Sequence, residues 1–111
     1  MQPAKIVYKP GTSDPSKLNP NMADALKVAA EVWGQWVDTL TVTSLNDGKH
    51  RVGSFHYKDL AADIRTKNLP STEVKRLAVK QLAGRLGADY DVILESLGQA
   101  SEHCHVELDA D

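Results

Sequence analysis

The sequence predicts an α+β domain: a small, mostly antiparallel sheet with two main helices. Two segments repeat apolar residues at helical spacing between cap residues, and short β-branched or alternating runs lie between and after them, in the order α-β-(β)-α-β-β. The length of 111 residues fits one domain at ~100–200 residues each. A chain of that size buries roughly two-thirds of its unfolded surface, enough for one modest core.

Pro3, Pro10, Pro15 and Pro20, with Gly11, Ser13 and Asp14 among them, make residues 1–20 an extended N-terminal arm, because proline fixes φ and removes a backbone donor. Within it Ile6, Val7 and Tyr8 are either a short edge strand or disordered. The domain proper runs over 21–111. Asn19 and Pro20 open the first helix as N-cap and first helical residue; Met22, Leu26, Ala29, Ala30 and Trp33 form its stripe, and Gly34 stops it. Thr39 to Ser44 alternates as a half-buried strand, closed by a turn at Asn46-Asp47-Gly48. Leu60 to Ile64 is a short buried strand. Ser71 or Thr72 caps a second helix with Glu73 in its first turn, a stripe of Val74, Leu77, Ala78, Leu82 and Leu86, and an end at Gly87. Strands at Tyr90–Glu95 and His103–Leu108 flank a polar connection carrying Gly98.

Composition excludes several classes. Thirteen Lys+Arg against fifteen Asp+Glu give a net charge of −2, so no overall field draws nucleic acid or an anionic membrane. Lys75, Arg76 and Lys80 form only a helical solvent face. A single cysteine excludes an internal disulfide and a zinc site of paired cysteines; Cys104 reads as core. No stretch approaches the ~20 apolar residues of a bilayer span, and the first residues lack the apolar region of a secretory signal. Trp33 and Trp36 are core residues or the wall of a groove.

The histidines are informative. His56 and Asp63 lie seven residues apart, and His103 and His105 lie two apart on an expected strand, so both imidazoles share one face. Glu107 continues that face, while Glu102 precedes His105 by three residues. Asp63 follows the apolar run Leu60-Ala61-Ala62 and precedes Ile64. A carboxylate among buried neighbours is costly unless paired or bound to a cation; a salt bridge to Arg65 or Arg51 would serve as well as a metal. Two histidines, one carboxylate and an open position make a hydrolytic zinc site.

The run Ser54-x-His56-x-x-x-x-Ala61-x-Asp63, followed after about forty residues by His103-x-His105-Val106-Glu107, resembles the zinc peptidases that include D-alanyl-D-alanine carboxypeptidases and phage L-alanyl-D-glutamate endopeptidases. The family pattern is S-x-H-x-x-G-x-A-x-D, closed by H-x-H or by an acid three residues before the last histidine. The similarity spans Thr41 to Asp109 and is strongest to compact phage and prophage forms. It implies the small α+β fold shared with hedgehog-type domains and a Zn2+ ion on His56, Asp63 and His105. His103 would stand beside the open position as base or oxyanion stabiliser, with Glu102 as rival base; strand alternation turns Glu102 away from His105 and favours His103. Ser54 would shape the turn presenting His56, Glu107 would orient a ligand histidine or be a solvated strand-end charge, and Arg51 would meet a substrate carbonyl or carboxylate. Asp59 stands where the family has glycine, adding a negative charge near the metal.

The resemblance implies a zinc metallopeptidase cutting amide bonds of peptidoglycan stem peptides, monomeric, with no nucleic-acid partner and no membrane insertion. Such an enzyme would be cytoplasmic before release, or virion-associated. The alternatives are a non-catalytic phage structural or binding module that keeps the fold and the zinc, and a cytosolic D,D-dipeptidase. His50 is expected to be a bystander.

Overall fold

Five strands and two helices make up the described chain in a computed structural model that describes residues 2–12, 19–47 and 60–108. They are β1 (Lys5–Tyr8), α1 (Pro20–Trp33), β2 (Thr39–Asp47), β3 (Leu60–Arg65), α2 (Thr72–Leu86), β4 (Tyr90–Glu95) and β5 (His103–Leu108). The strands form one mixed sheet in the order β1-β2-β3-β5-β4, with β1 parallel to β2 and the other three pairings antiparallel. The expected α+β architecture with two helices is therefore present, and β3 and β5 are its interior neighbours.

Within the stretch read as an arm, Lys5–Tyr8 takes the edge-strand alternative. Its approach is anchored by the Ala4 N–H donating to the Ala30 carbonyl at 2.8 Å and the Lys5 N–H to Asp38 at 2.8 Å. This close pass explains Gly34. Its φ is −59°, open to any residue, but a Cβ there would meet the Gln2 carbonyl oxygen at 2.3 Å. Gly34 is required by space, not by a left-handed turn.

Both helix starts follow their sequence signals. The Asn19 side chain accepts from the Asn21 N–H at 2.8 Å and Pro20 is the first helical residue. Ser71 accepts from the Val74 N–H at 3.1 Å, and α2 ends at Gly87, whose φ of +86° suits glycine. One member of the expected α2 stripe departs: Leu77 is 45% exposed, while Ala78 and Leu82 are buried and Val74, Val79 and Leu86 pack at the margin. The apolar face is narrower than the run of aliphatic residues suggests, and Leu77 falls beside it.

Strand β2 runs three residues past its expected end. Asn46 and Asp47 pair with Ala61 and Leu60 rather than starting a turn, because the ladder to β3 satisfies their backbone groups. The register shifts between Val42 and Ser44, leaving Thr43 as the extra residue of a bulge. Leu40 and Val42 point inward before it, and Leu45 after it.

The core lies between the helices and one sheet face. Trp33, Met22 and Leu26 of α1 and Leu82 of α2 close over Leu40, Val42, Ile64, Cys104 and Val106, all fully buried. The Trp33 indole N–H donates to the Arg65 carbonyl at 3.3 Å, so this tryptophan is core, and Trp36 packs half-buried against it. Cys104 is buried as expected, with burial pushing its thiol up to about 12. The alternation that buries Ala62, Ile64, Cys104 and Val106 turns Asp63, Arg65, His103 and His105 to the face opposite the helices. No helix among the described residues is long and apolar enough to cross a membrane.

Candidate metal centre

Adjacent interior strands bring the central residues together. Asp63 of β3 is the direct cross-strand partner of His105 of β5, and Arg65 that of His103. Facing pairs of this kind hold their Cβ atoms about 5 Å apart, so the backbone ladder itself sets the spacing. The His105 Nδ1–H donates to Asp63 Oδ1 at 2.8 Å, and His103 Nε2 lies 3.6 Å from the same oxygen. Ligand atoms of Asp63, His103 and His105 all fall within 4.8 Å of one another. The Thr43 hydroxyl, on the β2 bulge, donates to the Asp63 carbonyl at 3.3 Å and braces that strand.

Each imidazole is also held from its far side. His103 donates from Nδ1 to the Ser101 carbonyl at 2.7 Å and from Nε2 to Glu95 at 3.0 Å. His105 reaches Glu107 through Nε2 at 3.3 Å. Burial by itself would lower both histidine pKa values. For His103 the Ser101 carbonyl and the charges of Asp63 and Glu95 outweigh it; for His105 the bonds to Asp63 and Glu107 do. Both pKa values are therefore raised, and without a cation this cluster favours imidazolium.

A metal takes neutral imidazole, so a divalent cation would replace those protons and restore the balance against Asp63, Glu95 and Glu107. Two imidazole nitrogens and a carboxylate oxygen, with no thiolate, suit a divalent cation such as zinc. The residues present fit a zinc ion. Their half-buried setting, with side chains 22–27% exposed, leaves room for a ligand.

The sequence-selected residues divide into three groups. Asp63, His103 and His105 converge, and Glu107 contacts a ring nitrogen of His105. His56, Ser54, Arg51 and Asp59, with His50, lie outside the described residues. Glu102 lies in the connection just before β5, its side chain 2% exposed. It accepts from the Thr66 hydroxyl at 2.5 Å, from Lys75 at 3.0 Å and from the Gly98 N–H at 3.0 Å. Burial alone would raise its pKa, but the bonds from Thr66, Gly98 and Lys75 lower it to about 2. So weak a base, with its oxygens occupied, is a poor proton acceptor; Glu102 instead fastens the connection before β5. Gly98 in that connection has a φ of +82°.

Glu95 was not visible as a site residue in the sequence. It ends β4 as an ordinary strand-end acid, and only the hairpin register that pairs Glu95 with His103 identifies it. Comparison with known proteins brings no match: no family model fits the chain, and no curated protein or solved structure resembles it.

Proposed function

We propose that the protein is a zinc-dependent hydrolase of the hedgehog/D,D-peptidase type, cutting amide bonds of peptidoglycan stem peptides. The observation that supports it most is the convergence of Asp63, His103 and His105 on neighbouring strands, away from the helices. The sequence resemblance supplies the reaction class. Asp63 and His105, with His56, would hold the ion, which when bound polarises a carbonyl and supplies hydroxide near neutral pH.

The chain's own residues would do the rest. Glu107 orients His105 through Nε2, which would leave Nδ1, the nitrogen that faces Asp63, for the ion. His103, fixed through Nδ1–H to the Ser101 carbonyl, exchanges a proton at Nε2 with the attacking or leaving group. Glu95, bonded to that nitrogen, stabilises the charged ring. Glu102 takes no part in proton transfer and keeps the segment before His103 in place.

A second reading, a metal-holding module without turnover, draws support from Asp59 at the family's glycine position. Purified protein loaded with zinc and incubated with peptidoglycan separates the two. One zinc per chain with release of D-alanine or new L-alanine termini supports the peptidase; one zinc with no cleaved amide supports the module.

A further inference from the structure

β1 and β4 are the end strands of the sheet among the described residues, and the side chains on their outer faces complement one another. Lys5, Val7 and Lys9 alternate outward along β1 and just past it, and Asp91, Ile93 and Glu95 do so on β4, where they lie opposite Glu107, His105 and His103. Each trio sets an exposed apolar residue between two charges of one sign, basic on β1 and acidic on β4. Val7 is 38% and Ile93 50% exposed. On the helix side each edge borders a groove with apolar walls, Ile6 and Ala30 beside β1 and Val79, Val92 and Leu94 beside β4.

The backbone of the two edges suits one register. The Lys5 and Lys9 N–H groups donate towards β2, so alternation turns the N–H and C=O of Ile6 and Tyr8 to the open side. The Asp63 carbonyl faces Thr43 of β2, so the backbone groups of Ile64 face β5. Its partner Cys104 faces back to β3, and His103 and His105 face β4. Ile93, opposite His105, therefore bonds inward, and Val92 and Leu94 present their N–H and C=O outward. One parallel and three antiparallel pairings leave β4 running opposite to β1. A second copy in the same orientation thus lays its β1 antiparallel along β4, with both outer faces on one side.

We propose that the chain associates head to tail with copies of itself, β1 of one copy pairing antiparallel with β4 of the next. Ile6 meets Leu94 and Tyr8 meets Val92 as hydrogen-bonded pairs, Val7 covers Ile93, and Lys5 and Lys9 stand opposite Glu95 and Asp91. Opposite charges facing each other across a ladder stabilise it, and like charges destabilise it. The same rule disfavours the symmetric contacts: β1 on β1 sets Lys5 against Lys9, and β4 on β4 sets Asp91 against Glu95. Unlike edges joined in this way make a heterologous contact, which grows into open chains or rings. Two short strands bury less than a standard stable interface, so the assembly is reversible and salt-sensitive, in place of the monomer that the resemblance implies. Glu95, which holds His103, lies at the joint, so copies meet beside the metal cluster. The pairing itself needs neither metal nor turnover.

Sedimentation velocity on the full chain, from micromolar to millimolar concentration, tests the pairing. The weight-average sedimentation coefficient is expected to climb past that of a dimer as concentration rises, and to fall back as salt is added. Lys9→Glu and Asp91→Lys change exposed residues outside the metal cluster, and circular dichroism checks that each variant is folded. Each should weaken self-association by about fivefold, because an attractive cross-strand pair becomes a repulsive one. The double variant Lys9→Glu/Asp91→Lys restores the pair with its signs exchanged and should associate like wild type. An equimolar mixture of the two single variants should also associate, in alternation. A wild type that stays monomeric at millimolar concentration, leaving its edges to a strand of another protein, overturns the proposal. So does growth that stops at a dimer, which marks a symmetric contact. Single variants that associate as strongly as wild type, or a double variant no stronger than the singles, overturn it as well.

Discussion

Replacing Glu102 by Gln separates a structural carboxylate from a catalytic base. The carboxylate is buried and accepts from Thr66, Lys75 and the Gly98 N–H. Glutamine keeps the shape but loses the charge, and its amide N–H₂ must face a donor. The lowering from 4.5 to about 2 corresponds to about 3 kcal/mol at ~1.4 kcal/mol per unit. Screening around the partly exposed Lys75 reduces the expected cost to about 2 kcal/mol. For a domain of this size that is a Tm lower by about 8 °C. The pH dependence has a definite sign. A depressed carboxylate contributes stability that is present above its unfolded pKa near 4.5 and lost as pH falls through about 2. The gap between wild type and Glu102→Gln should therefore be constant above pH ~5 and close towards pH ~2. Thermal unfolding from pH 2 to 8, read by circular dichroism, measures it, with wall hydrolysis assayed below the variant's Tm. An unchanged Tm with hydrolysis abolished would refute the reasoning and return Glu102 to the role of base.

Further outcomes follow from the cluster and from the packing. Asp63→Ala should remove zinc binding and hydrolysis together, as should His56→Ala, with metal content read by mass spectrometry after dialysis. His103→Ala should keep most of the zinc and lose turnover, and zinc loss equal to that of Asp63→Ala would make His103 a ligand. The raised pKa values of His103 and His105 contribute stability to metal-free protein that is fully present below the unfolded value of 6.5 and lost as pH rises through the folded values. Zinc on His105 requires that ring to lose its extra proton, so the rise in Tm on adding zinc should grow as pH rises through the same range; a rise that shrinks with pH contradicts the assignment. Gly34→Ala should lower stability by about 2 kcal/mol, because its methyl group meets the Gln2 and Ala4 backbone; an unchanged Tm would show that the N-terminal strand yields freely.

Much of this was legible in the sequence because the signals were local. Asn19-Pro20, Ser71 and Gly87 mark helix ends through groups within a few residues, and strict alternation in His103–Leu108 put Cys104 inside and both histidines outside. Asp63 drew attention as an acid between apolar neighbours, and its partner proved to be His105 across the ladder. What stayed hidden depends on distant pairing. Strand β2 continues through Asn46 and Asp47 because β3 is there to bond them, and nothing within the turn-like triplet reveals that partner. Glu95 looks like any strand-end acid until the hairpin register sets it against His103. Gly34 reads as a helix stop, whereas the reason for it is the N-terminal segment passing over it. A cavity lined by Lys9, Thr43, Arg65 and His103 joins four parts of the chain that no spacing rule connects.

The central claim is that Asp63 and His105 belong to one zinc site that hydrolyses wall peptides. Zinc stoichiometry by equilibrium titration, run in parallel with mass analysis of a peptidoglycan digest for wild type and Asp63→Ala, tests it most directly. The account predicts one zinc per wild-type chain with new amide-cleavage products, and neither in the variant. A wild-type digest without zinc dependence, or an Asp63→Ala protein that still binds zinc and cleaves, would contradict it.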